Sequence, residues 1–314
     1  MQFGRGHCAL RPILCIFVWL GAVESLARAE FLDSLSDGLD HTARLTDDER
    51  MRVTFLGTGT SHGIPMIGCD CPVCRSDNPR NKRLRPSVYV ENGDQCLLID
   101  ATPDFRTQAL RANIRRVDAV LMTHTHADHM LGLDDLRVFC RRAGGKMPIY
   151  GSSHSIETIR RMFPYACLEK PEWPGMPSFD LHTVQAYQSF EISPTPIRAL
   201  PLAHGRMTVF GFLLARDVAY ITDCKTVPPD VVEAIRDVPI LVLDALRDRE
   251  HPTHLTIEEA RGVAEQVGAK LTLFTHLCHE VEHEAVENRL PPHVRVAYDG
   301  MQLEVIHDDV RLLA

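Results

Sequence analysis

The chain has 314 residues, of which 45% are hydrophobic and 24% charged. These are the proportions of an ordinary globular protein, and they exclude wholesale disorder, a collagen-like fibre and a polytopic membrane protein. A net charge of −8 and a pI near 6.0 exclude a global basic field of the kind that draws a protein onto nucleic acid or anionic lipid.

Residues 1–50 read differently from the rest. Arg5, His7 and Arg11 precede an apolar run from Pro12 to Val23, and Ala27-Arg28-Ala29 follows. That is the layout of a secretory signal peptide, and the run is too short to span a bilayer. The competing reading is a mis-assigned upstream segment, with the true start at Met51, and the abrupt onset of a strand there favours it. Either way residues 1–50 fall outside the fold and 51–314 form the folded domain. The ten cysteines do not show the even spacing of a secreted disulfide framework, which suits a cytoplasmic protein; a periplasmic one is implied only if residues 1–29 are a genuine signal peptide.

From Met51 the elements follow in order. Arg52–Leu56 reads as a strand closed by Gly57-Thr58-Gly59-Thr60. Ser87–Val90 and Cys96–Ile99 flank Glu91-Asn92-Gly93-Asp94 as a hairpin. Phe105–Asn113 reads as a helix, Ala119–Met122 as a buried strand and Leu131–Arg142 as a second helix. Val209–Leu214 and Val218–Ile221 pair as a hairpin, Ile240–Leu243 is a strand, Ile257–Val267 a helix ended by Gly268, and Lys270–Phe274 a strand. Mixed strands with helices packed outside predict an α/β protein built as a layered αββα sandwich.

The chemistry follows the buried strand at Ala119. The chain there reads Thr123-His124-Thr125-His126-Ala127-Asp128-His129, with three imidazoles and a carboxylate within six residues. His124 and His126 alternate as strand residues do and can face one metal, while Asp128 and His129 lie past the turn and can face a second. Imidazole nitrogen and carboxylate oxygen suit zinc, manganese or iron.

This H-x-H-x-D-H stretch resembles the signature of the metallo-β-lactamase superfamily, whose fold is a four-layer αββα sandwich. The resemblance implies the remaining ligands. His204, Asp223 and His276 each follow a strand, and Asp223 matches the aspartate that spans two metals. β-Lactamases proper usually carry a cysteine there. The implied set is His124, His126 and His204 on one ion and Asp128, His129 and His276 on the other, with Asp223 shared and either zinc or manganese accepted.

Cys69-Asp70-Cys71-Pro72-Val73-Cys74 then narrows the resemblance, because three thiolates need a fourth ligand to close a tetrahedral zinc site. The pattern is similar to the phosphodiesterases of the bacterial carbon–phosphorus lyase pathway, which act on phosphoribosyl 1,2-cyclic phosphate. That likeness implies a structural zinc on Cys69, Cys71, Cys74 and His279. It also implies that His254, which lies 22 residues before His276, assists the leaving group, with His251 as its competitor. His254 and Asp128 are therefore the candidate catalytic side chains.

The resulting expectation is a dinuclear metal-dependent phosphodiesterase that hydrolyses a small, cyclic phosphodiester through a metal-bridging hydroxide. Its partner is a small-molecule substrate rather than a membrane or nucleic acid, and a homodimer is common in the fold. Three alternatives share features with it: a thioesterase or glyoxalase-II-like hydrolase, a tRNA 3′-processing endonuclease, and a non-catalytic carrier of the kind suggested by a likeness of Asp100-Ala101-Thr102-Pro103-Asp104-Phe105-Arg106 to pyrroloquinoline-quinone biosynthesis protein B. Within that stretch, Asp100 can orient a metal-bound histidine, or Asp104 can cap a helix. The basic run Arg80, Lys82, Arg83 and Arg85 reads either as a solvated surface or as a phosphate contact.

Overall fold

The computed structural model describes residues 50–140 and 145–313. The leader reading of residues 1–49 and the last turn of the helix expected at Leu131–Arg142 lie outside them.

The chain lays down β1 (Met51–Gly57), β2 (Ser87–Asn92), β3 (Gln95–Ile99), β4 (Ala119–Leu121), β5 (Met147–Gly151) and β6 (Phe179–Thr183) in one sheet. It then builds a second sheet from β7 (Ser189–Ile192), β8 (Thr195–His204), β9 (Met207–Leu214), β10 (Val218–Ile221), β11 (Ile240–Asp244), β12 (Leu271–Thr275) and β13 (Val294–Val296). A closing hairpin, β14 (Gln302–Ile306) and β15 (Asp309–Leu313), returns to the first sheet, whose order is β15-β14-β1-β2-β3-β4-β5-β6. The second sheet runs β13-β12-β11-β10-β9-β8-β7.

Three apolar layers explain the stacking. Phe55, Val90, Leu97 and Leu121 of the first sheet meet Ala199, Phe212, Tyr220 and Val242 of the second. Outside the first sheet, Leu98 and Val120 pack on Phe105 and Ile159 from the helices Phe105–Arg111 and Ser153–Met162. Outside the second, Leu241 and Leu243 pack on Val231, Ala260 and Ala264 from Pro229–Ala234 and Ile257–Val267. The result is the αββα sandwich of the metallo-β-lactamase fold. The strands covered on both faces are unbroken apolar runs, as in Ile240-Leu241-Val242-Leu243, and pair in parallel as β10–β13.

Local chemistry sets several boundaries. Thr256 and Glu259 cap the helix Ile257–Val267 reciprocally, at 3.1 and 2.8 Å, and Gly268 ends it in a left-handed turn. The continuous helix expected from Leu131 is instead broken into Ala127–Met130, a 3-10 turn Leu133–Leu136 and Arg137–Cys140. Gly132 is the cause. Its N–H donates to the Ala101 carbonyl at 2.9 Å, and a Cβ there would lie 1.9 Å from the Thr102 oxygen. The backbone thus turns away to pass against the Asp100–Thr102 segment.

Candidate metal centre

Strands β3 and β4 of the first sheet and β8, β10, β11 and β12 of the second all point their C-terminal ends the same way. Those ends deliver Asp100, His124, His204, Asp223, Asp244 and His276 into one gap, where ligands of open α/β sheets bind. Asp100, Asp223 and His276 have φ of 61°, 55° and 60°. Left-handed backbone costs such residues of order 1–3 kcal/mol, and it concentrates at functional sites.

Two sets of ligand-type atoms meet there. In the first, His124 Nε2 lies 3.0 Å from His126 Nδ1, and the Nε2 atoms of His124 and His204 lie 3.9 and 4.0 Å from Asp223 Oδ1. In the second, His129 Nε2 is 3.5 Å from Asp128 Oδ2 and 3.3 Å from Asp223 Oδ2, while His276 Nε2 is 3.8 Å from Asp128 Oδ2 and 3.3 Å from Asp223 Oδ1. Ligand atoms about 2.1 Å from a tetrahedral ion stand about 3.4 Å apart, so both sets have the spacing an ion requires. Asp223 is within reach of each. His129 Nε2 and His276 Nε2 are buried without a hydrogen-bond partner, a cost that a bound cation removes.

On His129 and His204 the opposite ring nitrogen is tied down. His129 Nδ1 donates to Asp100 Oδ2 at 2.7 Å, and Asp100 also accepts from the Thr123 N–H and hydroxyl at 2.9 and 2.7 Å. His204 Nδ1 donates to the Thr253 carbonyl at 3.1 Å. Such contacts fix the tautomer and aim Nε2 at the site. Asp104 occupies the N-cap position without capping; its carboxylate turns to the Arg85 N–H and guanidinium at 3.0 and 2.9 Å.

Electrostatics follow the same geometry. Burial alone would lower the pKa of His276, but Asp223 and Asp128 outweigh it and push it up to about 9. Burial would likewise raise Asp223, and the imidazoles of His276, His129 and His124 hold it well below the usual carboxylate range. His124 is driven well below its ordinary value by burial and then by His129. Without metal, the cluster therefore balances itself with protons, and binding a cation must release them.

His254 stands apart from these sets. Its Nδ1 donates to Asp244 Oδ2 at 2.8 Å, its ring stacks on His276 with centroids 4.7 Å apart, and its Nε2 lies 3.9 Å from Asp223 Oδ1. It also forms a ligand-type group with Asp223 and His276. His251 sits farther out, with Nδ1 turned to its own Thr253. Asp244, which also accepts from the Cys224 N–H at 3.1 Å, is the functional residue that sequence reasoning missed. Its signal is a repeat: Leu-Ile-Asp-Ala at 98–101 and Val-Leu-Asp-Ala at 242–245 both end a buried strand in Asp-Ala.

A second cluster lies beside the first. Cys69 Sγ and Cys71 Sγ approach His279 Nδ1 at 3.3 and 3.4 Å, and the four atoms of Cys69, Cys71, Cys74 and His279 lie within 4.8 Å of one another. The Cys74 N–H, donating to Cys71 Sγ at 3.4 Å, leads the contacts that bring the Cys71 thiol down to about 6. The neighbouring basic run makes contacts within the protein. Arg83 is buried and donates to Thr58 Oγ1 and the Ala297 carbonyl, Lys82 holds the Cys74 carbonyl, and Arg80 lies over the Tyr298 ring.

Residues 95–277 match the β-lactamase superfamily domain. The chain superposes on the crystal structure of a diphosphatase of the PhnP family with a TM-score of 0.76 and 39% identity, covering 84% of this chain and 99% of that one. It is 36% identical over 265 residues to an octanoyltransferase of Porphyromonas gingivalis, covering 83% of this chain, and spans only about half (53%) of that relative. It is 25% identical over 296 residues to ribonuclease Z of Methanopyrus kandleri, covering 82% and 99%. The chain belongs to the β-lactamase superfamily and, within it, to the PhnP family. It is a metal-dependent hydrolase whose mostly buried histidine–aspartate clusters fit divalent metals.

Proposed function

We propose that the protein is a dinuclear metal-dependent phosphodiesterase acting on a small, cyclic phosphodiester. The observation that carries this reading is the shared carboxylate: Asp223 lies within 3.3 Å of His129 and His276 and within 4.0 Å of His124 and His204. His124, His126 and His204 would hold one ion and Asp128, His129 and His276 the other, with Asp223 common to both and zinc or manganese suited to either. Bound there, the ions supply an acidified water and positive charge for the phosphoryl oxygens.

The rest falls to side chains of this chain. Each ion would have four protein ligands without His254, which would leave that imidazole for the proton. Asp244 fixes the proton on Nδ1, and Nε2, once charged, donates to the leaving alkoxide. Asp128 would serve catalysis as a ligand that helps hold the second ion. Cys69, Cys71, Cys74 and His279 would hold a structural zinc. The PhnP-family diphosphatase supports phosphorus chemistry over thioester hydrolysis. The net charge of −8 favours a small molecule over tRNA, and the complete pair of ligand sets favours an enzyme over a carrier. The reading places the hydrolase domain at 51–314, in a reducing compartment, as a homodimer.

The test is hydrolysis of bis(p-nitrophenyl) phosphate with added manganese or zinc, beside a glutathione thioester and a precursor tRNA. Diester turnover that disappears on chelation and in Asp223→Ala is expected. Turnover of only the thioester or the tRNA, or full diester rate in Asp223→Ala, overturns the proposal.

A further inference from the structure

Three of the ligand-type residues directly follow a threonine, as Thr123-His124, Thr222-Asp223 and Thr275-His276. Each threonine stands at or just past the end of a strand, β4, β10 or β12, and each is buried. A β-branched side chain suits such a position, and valine has the same shape. What threonine adds is a hydroxyl, and the three hydroxyls are used differently.

Thr123 Oγ1 donates to Asp100 Oδ2 at 2.7 Å, and so serves the carboxylate that fixes His129. Thr275 Oγ1 is buried without a hydrogen-bond partner. Thr222 Oγ1 donates to the shared carboxylate itself, 2.8 Å from Asp223 Oδ2. Asp100 and Asp244 are each steadied by a backbone N–H, whereas this bond to Asp223 comes from a side chain.

The two oxygens of Asp223 face different neighbours. Oδ1 lies 3.9 and 4.0 Å from the Nε2 atoms of His124 and His204 and 3.3 Å from that of His276, while Oδ2 lies 3.3 Å from His129 Nε2. A carboxylate free to turn about its Cβ–Cγ bond can present both oxygens to one cation. A hydroxyl bonded to Oδ2 holds that turn, and the oxygen keeps a further lone pair for a metal.

We infer that Thr222 is a positioning residue that keeps Asp223 a bridge, one carboxylate oxygen to each ion. This rests on the dinuclear reading above and deepens it by naming what divides the shared ligand. Without the hydroxyl the carboxylate closes on one ion with both oxygens, and the other ion loses a ligand.

The test is titration of manganese and zinc into the metal-stripped protein against a competing chelator, with the electron paramagnetic resonance spectrum of the manganese-loaded protein as a second readout. In Thr222→Val one of the two ions of the centre should bind about 10–100-fold more weakly while the other keeps its native affinity. The spectrum should pass from that of a coupled manganese pair to that of separate ions. Thr222→Ser should restore both readouts, which a loss of packing would not allow. Thr275→Val removes a hydroxyl with no partner from the neighbouring strand end and should titrate like the native protein. A native centre that binds two coupled ions but turns over no phosphodiester counts against the phosphodiesterase reading alone, and the titrations then still decide the role of Thr222. A native centre that takes a single ion overturns both. Native titration and coupling in Thr222→Val, equal weakening of both ions, or the same loss in Thr275→Val overturns the inference alone.

Discussion

Asp100 and Asp244 do matching work from opposite sheets. Each ends a buried strand, accepts a backbone N–H from a neighbouring strand end (Thr123 or Cys224), and takes the Nδ1 proton of one imidazole, at 2.7 Å for His129 and 2.8 Å for His254. Removing such a partner leaves the ring free to turn or to hold the wrong tautomer, which typically costs 10–100-fold in metal affinity or activity. Asp244→Asn should therefore lower kcat on an aryl phosphodiester by about 10–100-fold with metal content unchanged. A normal kcat would remove Asp244 from the mechanism. Asp100→Ala should instead weaken metal binding at the Asp128–His129–His276 set by about 10–100-fold, measured by competition with a chelator. The ligand residues were legible in the sequence because the H-x-H-x-D-H stretch is local and the others sit just past apolar strand runs. Asp244 was not, because its meaning depends on His254 being folded back against it.

At the scale of elements, the cysteine loop and the segment after β12 are laced together around Arg83. Its guanidinium meets Thr58 Oγ1, the Ala297 carbonyl and His283 Nδ1, while Asn81 accepts from the His283 N–H at 2.8 Å and donates to Glu282 at 2.7 Å. Read along the sequence, residues 80–85 are a basic run. Two of the three partners that make Arg83 a core residue lie about two hundred positions away. The same limit hid β6 and β7, whose residues alternate or are half exposed, whereas the wholly apolar β11 was plain.

Burial, and then Arg83, bring His283 down to about 4 from 6.5. The unfolded chain binds this proton near pH 6.5 and the folded one only near pH 4, so stability rises with pH across that window. The contribution is complete above about pH 6.5 and is lost as pH falls towards 4. Urea melts between pH 4 and 7 should show that slope, and His283→Asn should flatten it. An unchanged slope would assign the acid sensitivity to other groups.

For the molecule as a whole, the metal centre depends on two sheets keeping their register across a shared core. Phe212 is fully buried between them, and the Phe210 N–H reaches across to the Thr123 carbonyl at 2.9 Å, next to His124. Phe212→Ala should cost about 3–5 kcal/mol in urea unfolding, as cavities of that size do. The layered architecture was legible from strand and helix patterning; the convergence of six strand ends on one gap came from topology, which sequence periodicity does not encode.

The central claim is that this gap holds two ions around Asp223 while the cysteine cluster holds a third. Metal content per chain, measured on the purified native protein and on Asp223→Ala, tests it most directly. The account predicts three divalent ions per native chain and loss of at least one in the variant, with zinc kept by Cys69, Cys71, Cys74 and His279. A native chain with a single ion, or a variant that retains all three, would contradict it.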